Sequence, residues 1–463
     1  MKPKRIILLL DGTWNDADVG SQDTNIVRLG WIIAKSLEPS SRFVDRSKPA
    51  TAMARGETIV AGGTYPGSPF EHIVLYERGV GTGPFETVRG GAFGGGLDGN
   101  IRRAYKFLSY HYRPGDQVFI FGFSRGAYTA RSLAGFIGAA GLLRQDRCTA
   151  ELERTAWEYY RTPPNERLPG VWVELGYHVH DRKEFRIDCV GVFDTVGALG
   201  VPLGVFWRLN RRRYQFHNVE LSSIASLNLH ALAVDEHRHP FQAAVWRKHR
   251  YKTLASVTEQ VWFPGAHADV GGSYVDETRR SDAVKALDDL ALDWMLKRVK
   301  HFYSDFPFEP ARAWKLVDDA WARAQAHQAR GHIYRLWPAA RRAIANRAAQ
   351  RRLWRYERAV CHDCHADPIG EMVHISVLQR LGSRARLDRL KRRYRPWNLL
   401  AVLQDIEDTY KLPPAQRAHP DILIVDWSGE PIAPDGRGRA RALEIIGEAK
   451  RRLGLAPSAA GPD

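Results

Sequence analysis

The chain has 463 residues, of which 44% are hydrophobic and 26% are charged, and its formal net charge is +16. This composition excludes a disordered or fibrous chain and is sufficient for a large buried core. The longest apolar run near the N-terminus, Ile6–Leu10, is too short for a membrane span or a signal peptide. We therefore expect a protein that is cytoplasmic as synthesised, with no signal peptide and no transmembrane segment.

Aliphatic runs alternate with helical patterns in the first third of the chain. Apolar residues at spacings of three and four predict amphipathic helices, and short uninterrupted apolar runs predict buried strands. The predicted elements are, in order, a strand at Arg5–Leu10, a helix at Thr24–Lys35, a helix at Asp98–Tyr112 capped by Asp98 or Asn100, a strand at Gln117–Gly122 and a helix at Gly126–Ile137.

The alternation continues through the rest of the chain. The predicted elements are a strand at Arg186–Phe193, a helix at Leu221–Val234, a strand at Gln260–Phe263 and helices at Asp282–Tyr303 and Leu399–Tyr410. Strands that alternate with helices predict the α/β class, with a mostly parallel sheet flanked by helices. We expect a catalytic domain at 1–300 and a helical, Arg-rich C-terminal region at 301–463, packed on the same domain.

Gly122-Phe-Ser124-Arg-Gly126 matches the G-x-S-x-G motif in a specific context. A predicted strand precedes the motif and a predicted helix follows it, which is the nucleophile elbow of α/β-hydrolases. The turn is so tight that both flanking residues, Gly122 and Gly126, must lack side chains. A tight turn with a serine that merely caps the helix is the alternative. We predict that Ser124 is a nucleophile.

A nucleophilic serine needs a base and an orienting acid, which follow in that fold in the order serine, acid, histidine. Asp194 follows the predicted strand at Arg186–Phe193, so we predict it as the acid, with helix capping as the alternative role. His267 follows the next strand in a glycine-rich loop and is the predicted base. His237 and His239 are less well placed, and Asp269 is interpreted as a carboxylate that braces the loop.

The oxyanion formed during attack needs backbone N–H donors. One donor is expected from Arg125, the residue after the nucleophile. The second is expected from Gly12 or Thr13, which follow the first predicted strand. We predict no cofactor and no metal. Cys361-His-Asp-Cys364-His365 matches a haem-attachment pattern, for which chance spacing is the alternative.

Positive charge is concentrated between residues 331 and 395, which hold sixteen Lys or Arg and five Asp or Glu. Interleaved aromatic residues favour a membrane interface, where each cation near an anionic leaflet contributes about 1 kcal/mol. We predict that this segment contacts an anionic membrane surface, with a solvated helical face as the alternative. No specific nucleic acid is expected, and the oligomeric state is not predicted. The arginines chosen as membrane-facing are Arg341, Arg342, Arg351 and Arg352.

Five segments resemble a bacterial hydrolase family once labelled a domain of unknown function. The family is related to the first class of type VI secretion phospholipase effectors. The segments occur in the family's order and cover most of residues 1–300. They are Asp11-Gly-Thr-Trp-Asn15, Tyr76-Glu-Arg-Gly-Val-Gly-Thr82, Gly122-Phe-Ser-Arg-Gly-Ala-Tyr-Thr-Ala-Arg131, Phe193-Asp-Thr-Val-Gly-Ala-Leu199 and Trp262-Phe-Pro-Gly-Ala-His-Ala-Asp-Val-Gly-Gly272.

The resemblance implies the same triad, Ser124, Asp194 and His267, and ester hydrolysis on phospholipids, of type A in the effectors. It also implies possible export by type VI secretion. Two alternatives stay open. One is a metal-dependent phosphoester hydrolase that uses Asp11, Asp194, His267 and Asp269, and the other is an inactive hydrolase-fold protein that binds anionic polymers.

Overall fold

We analysed a computed structural model of the chain. The residues that it describes are 2–12, 24–39, 59–77, 79, 92–196, 223–238, 241–247, 256–273, 285–309, 317–329, 342–345, 369–387 and 390–455.

The chain divides into two compact units. Unit one comprises residues 1–229, 249–258 and 302–315, and unit two comprises residues 230–248, 259–301 and 316–463. The functional boundary predicted near residue 300 stays a prediction.

The sheet of unit one is built on a fully buried central strand. β1 is parallel to both of its neighbours, β4 and β5, and β5 is parallel to β6. At one edge, β3 runs antiparallel to both of its neighbours, β4 and β2. The strand order is β6-β5-β1-β4-β3-β2. The strands are β1 (Lys4–Leu10), β2 (Glu38–Pro39), β3 (Ile59–Thr64), β4 (Glu71–Glu77), β5 (Gln117–Phe123) and β6 (Ile187–Phe193).

Five helices belong to the described part of unit one. Thr24, predicted as the first helical residue, is the N-cap of the first helix and accepts a hydrogen bond from Val27 N. The second helix begins at Ala92, so the predicted cap at Asp98 or Asn100 is wrong and both residues lie inside the helix. The helices are α1 (Asn25–Ser36), α2 (Ala92–His111), α3 (Arg125–Ala140), α4 (Ala150–Arg161) and α5 (Pro169–Gly176).

The predicted helix at Leu221–Val234 is wrong, because Ala225–Ala233 forms a strand, β7. Eight of its nine residues are buried, so the polar alternation that identifies a half-exposed strand is absent. Leu and Ala also favour helix locally, and tertiary pairing overrides that preference. The division between the units falls within this strand, after Leu229.

The strands of unit two lie in the order β12-β9-β8-β7. β8 is parallel to β9, and β9 is parallel to β12. The C-terminal region thus contributes strands, which the sequence analysis did not predict. The strands are β8 (Val257–Phe263), β9 (Glu371–His374), β12 (Leu423–Val425) and the separate antiparallel pair β10 (Arg384–Leu387) and β11 (Leu390–Arg393).

The helices of unit two pack around an apolar core that includes Trp262, Val373, Ile406 and Ile446. The expected α/β class, with mostly parallel strands and flanking helices, is confirmed within each unit. In the part of the chain described, no helix is both long and apolar enough to cross a membrane. The helices are α6 (His267–Gly271), α7 (Leu287–Phe302), α8 (Ile375–Arg380), α9 (Trp397–Lys411) and α10 (Gly436–Leu453).

Candidate active site

Ser124 lies on the one-residue turn between β5 and α3. Its backbone has φ 57° and ψ −118°, a conformation that L residues rarely adopt. Within the described residues its side chain makes no capping hydrogen bond to α3, which argues against the simple capping role. The side chain stands at the carboxyl end of β5 and at the N-terminal end of a sixteen-residue helix, where the helix dipole favours negative charge.

The two glycines of the motif are required by close backbone approach. A Cβ on Gly122 would lie 2.5 Å from the carbonyl oxygen of Gly126 and 2.7 Å from the Cα of Ala127. A Cβ on Gly126 would lie 2.5 Å from the carbonyl oxygen of Asp11 and would also overlap the Leu10 carbonyl. The helix can therefore start directly above β1 and β5 only if both positions lack a side chain.

Asp194 is the residue after β6, on the strand next to that of Ser124. Phe123 and Phe193 are paired in register, so Ser124 and Asp194 both directly follow a paired residue. The backbone N–H of Ser124 donates to the carbonyl oxygen of Phe193 at 3.1 Å. Asp194 is fully buried and has φ 41°. The structure thus brings the predicted nucleophile and the predicted acid to the same end of neighbouring strands in unit one.

His267 follows β8 and is the first residue of the short helix α6. It is 6% exposed, and its imidazole lies edge-on to the ring of Phe241, with 5.1 Å between centroids. His267 belongs to unit two, whereas Ser124 and Asp194 belong to unit one. Of the competing histidines, His237 lies just after β7 in unit two, and His239 lies outside the described residues.

The residues predicted as oxyanion donors differ in whether their backbone N–H groups are available. Arg125 is the first residue of α3, at the end where helical N–H groups point away from the helix. The N–H of Gly12 donates to Asp11 Oδ1 at 2.7 Å, which is a competing use of that donor. The conformation described therefore does not support Gly12 as the second donor. Thr13 lies outside the described residues.

Two carboxylates of the alternative metal site are engaged in structural hydrogen bonds. Asp11 Oδ2 accepts from Thr24 Oγ1 at 2.8 Å and from Tyr76 OH at 2.7 Å. Asp269 Oδ2 accepts from Ala266 N at 2.9 Å, as expected for a loop-bracing carboxylate. Among the residues described, no group of three or more His, Cys, Asp or Glu is placed to hold a metal ion. The Cys361–His365 pattern lies outside them.

Arg342 corrects the predicted membrane-facing set. It is 2% exposed, and its guanidinium donates to the carbonyl oxygens of Ala233 at 2.9 Å and Phe241 at 2.6 Å. A side chain buried in this way is not available to a lipid surface, so the prediction for Arg342 is wrong. Arg341, Arg351 and Arg352 lie outside the described residues.

The sequence analysis missed Glu236, which is fully buried beside the predicted base. Glu236 Oε2 accepts from the backbone N–H of His267 at 3.3 Å and from Arg238 Nη2 at 2.8 Å. Burial alone would raise the pKa of Glu236, but the hydrogen bonds and charge of Arg238 hold that pKa below its ordinary value. A carboxylate just after a buried run was a signal of the same kind as the one that identified Asp194.

Comparison with known proteins gives a family and several distant relatives. Residues 4–298 match the catalytic domain of the Tle1-like phospholipase effectors of the type VI secretion system. An uncharacterised protein of Saccharomyces cerevisiae is 30% identical over 198 residues, which are 38% of this chain and 27% of that protein. The chain thus spans about a quarter of the length of this curated relative.

Two solved structures are also similar. One is the Tle1 effector bound to the VgrG spike of the type 6 secretion system, at 20% identity and a TM-score of 0.30, covering 59% of this chain and 52% of that chain. The other is an uncharacterised protein from Pseudomonas aeruginosa, at 15% identity and a TM-score of 0.34, covering 97% of this chain and 60% of that chain. Because the family match covers well over half of the sequence, the chain belongs to the family of Tle1-like phospholipase effector catalytic domains.

Proposed function

We propose that the chain is a serine hydrolase that cleaves carboxylic esters and that its substrates are the acyl esters of phospholipids. Ser124 is the nucleophile, His267 the general base and Asp194 the acid that orients the base. The substrate class comes from the family, whose description names phospholipase effectors. Export by type VI secretion is part of the same proposal.

The conformation of Ser124 is the observation that carries the proposal. A positive φ at a non-glycine residue costs on the order of 1–3 kcal/mol and persists where the surrounding structure imposes it. Ser124 follows β5 directly and is the N-cap residue of α3. A serine that served only to connect a strand to a helix would not need this conformation, whereas a nucleophile elbow does.

The proposed reaction follows from the chemistry of the three side chains. Ser124 Oγ attacks the ester carbonyl while an imidazole nitrogen of His267 takes the hydroxyl proton. The carboxylate of Asp194 holds the ring and stabilises its protonated form. The N–H of Arg125 donates to the developing oxyanion, and the imidazolium returns its proton to the leaving alcohol. Water activated by His267 then hydrolyses the acyl-enzyme and releases the fatty acid.

A labelling experiment tests the nucleophile. Purified chain is incubated with a fluorescent fluorophosphonate, which reacts covalently with activated serines, and the label is located by peptide mass spectrometry. We expect one labelled peptide containing Ser124, and no label in Ser124→Ala. Ser132, which is fully buried in α3, is the matched control, and Ser132→Ala should label as wild type does. Equal labelling of wild type and Ser124→Ala would refute the proposal.

A second experiment tests the substrate class and separates the alternatives. Phosphatidylcholine and phosphatidylglycerol vesicles are incubated with the chain, and released fatty acid is quantified with and without EDTA. Ester hydrolysis that survives EDTA and is abolished by the fluorophosphonate supports the proposal. The released head group is quantified in parallel, and head-group release that EDTA abolishes, without release of fatty acid, favours the metal-dependent phosphoester hydrolase. Neither labelling nor hydrolysis, together with binding to an anionic polymer, favours the inactive binding protein.

A further inference from the structure

Three consecutive backbone N–H groups leading into His267 each donate to a different carboxylate. Gly265 N donates to Asp235 Oδ2 at 2.7 Å, Ala266 N to Asp269 Oδ2 at 2.9 Å, and His267 N to Glu236 Oε2 at 3.3 Å. All of these residues belong to unit two. Glu236 and Asp269 are buried and Asp235 is half-buried. Buried carboxylates are costly unless they are paired, so these hydrogen bonds hold the loop before His267 in one conformation.

Each carboxylate has its own balancing partner. Tyr394 OH donates to Asp235 at 2.8 Å, and His327 Nδ1 lies 2.6 Å from Asp269 Oδ1. Glu236 forms a paired contact with the Arg238 guanidinium, at 2.8 and 3.0 Å. Three further charged or titratable groups act on these carboxylates: Arg342 on Glu236, and Arg380 and His237 on Asp235. The charge of His267 lowers the pKa of Glu236.

A second route connects Glu236 to the imidazole itself. The Arg238 guanidinium that binds Glu236 lies over the Phe241 ring, 3.7 Å from its centroid. That ring and the imidazole of His267 form a T-shaped contact, with 5.1 Å between their centroids. Glu236 therefore fixes the main chain of His267 directly and fixes the aromatic surface beside its ring through Arg238.

We propose that Glu236 is a positioning residue for His267: it fixes the imidazole in place and its negative charge favours the protonated ring. The inference rests on the proposed function for its catalytic consequence. Asp194 and Glu236 would then stabilise the same imidazolium, and Glu236 would act without contacting the substrate. A negative charge at close range raises the pKa of a histidine, because it stabilises the protonated imidazole.

The ring titration can be measured without any enzyme activity. The chain is labelled with ¹⁵N-histidine, the signal of His267 is assigned by its absence from His267→Ala, and its pKa is measured by NMR. We expect Glu236→Gln to lower the pKa of His267 by about one unit, because the charge is lost while the side-chain size is kept. Glu236→Asp keeps the charge and should lower the pKa of His267 by less than half as much.

Coupling between two titrating groups is reciprocal, which gives a measurement that needs no Glu236 variant. In ¹³C-glutamate-labelled His267→Ala, the Glu236 carboxyl should titrate at a higher pH than in wild type by about one unit, the same shift as is expected at His267. This measurement decides the proposal if Glu236→Gln does not fold. Unchanged pKa values of both His267 and Glu236 would overturn it.

Kinetics then test the catalytic consequence on a small soluble ester such as p-nitrophenyl butyrate. We expect Glu236→Gln to lower kcat about tenfold with KM within about twofold, and to move the ascending limb of the kcat/KM profile to lower pH. Glu407→Gln is the matched control, since Glu407 is also a buried carboxylate of unit two, paired with Lys411 and Lys450. It should alter the melting temperature and leave the pH limb in place.

The two proposals fail in distinguishable ways. A wild-type chain without Ser124-dependent turnover would refute the proposed function, and the two NMR titrations would still decide whether Glu236 is coupled to His267. If Ser124-dependent turnover is present and Glu236→Gln alters stability alone, Glu236 is a structural residue and the positioning role is wrong.

Discussion

Ser124 and Asp194 share one backbone feature, a positive φ, at the ends of two neighbouring parallel strands. The angles are 57° and 41°, and both residues follow phenylalanines that are paired in register. Two such conformations side by side are rare for residues with a Cβ. At each of these residues the chain turns directly after the strand. A polar residue therefore lies at the carboxyl end of each strand.

Replacing Ser124 by glycine should therefore stabilise the fold while abolishing activity. Glycine adopts φ 57° without the steric cost that serine bears, whereas alanine retains that cost. We expect Ser124→Gly to exceed Ser124→Ala in free energy of unfolding by about 1 kcal/mol. Urea denaturation followed by circular dichroism measures the difference. A lower stability of Ser124→Gly than of Ser124→Ala would contradict the prediction, because the relief of strain would then be smaller than the entropy that glycine adds to the unfolded chain.

The proposed triad predicts that its members act as a unit. Ser124→Ala and His267→Ala should each reduce kcat on a soluble ester by about 10⁴-fold, and the double variant should be no slower than either single variant. Single-turnover assays with active-site titration provide the rates. His237→Ala is the control and should retain wild-type activity. If His237→Ala were inactive while His267→Ala remained active, the assignment of the base would be wrong.

How far the sequence predicts this structure depends on how local each interaction is. The strand, turn and helix around Ser124 were predictable because they occupy one continuous segment. The glycine requirement also arises inside that segment, apart from the contact of Gly126 with the end of β1. The strand β7 was not predictable from its pattern, because burial on both faces removes the alternation that marks a strand. Leu and Ala in that segment then favour the wrong element.

The contacts of the charged residues were not predictable either, because their partners lie far away in the sequence. Arg342 looked like one more cation in a basic segment, yet its acceptors are carbonyl groups 109 and 101 residues away in the chain. Glu236 was overlooked because its contact with His267 spans 31 residues and involves a backbone N–H, which has no sequence signature. Composition predicts where charge is concentrated and says nothing about which members of the set are buried.

Arg342 should accordingly matter for stability and be silent in membrane binding. Arg342→Gln should destabilise the chain by about 2 kcal/mol or more, because it loses charged hydrogen bonds to two buried carbonyl groups. Denaturation measures the loss, and sedimentation with phosphatidylglycerol vesicles measures binding. The folded Arg342→Gln variant should sediment as wild type does.

The matched variant replaces Arg341, Arg351 and Arg352 together by Gln. If the basic segment contacts an anionic membrane, this triple variant should bind vesicles less well at low salt than wild type, and the difference should shrink at high salt. Reduced vesicle binding by Arg342→Gln alone would contradict its buried position. Equal binding by the triple variant and wild type would refute the membrane role of those three arginines.

Glu371 should make the stability of the chain fall as the pH rises from about 4.5 to 7. Its carboxylate is buried, accepts hydrogen bonds from Trp262 Nε1 at 2.8 Å and Ala345 N at 2.9 Å, and burial raises its pKa to about 7. Between these pH values the folded state holds a proton that the unfolded state has released, so each rise in pH favours unfolding.

Glu371→Gln cannot ionise and keeps an oxygen that can accept one of the hydrogen bonds. We therefore expect the variant to gain stability relative to wild type, by roughly 3 kcal/mol between pH 4.5 and pH 8. His374 contributes an opposite trend to both proteins, because burial lowers its pKa to about 3, and this contribution cancels in the difference. Urea denaturation of both proteins at pH 4.5, 6 and 8 tests the prediction, and a stability difference that does not change with pH would show that Glu371 stays ionised in the folded chain.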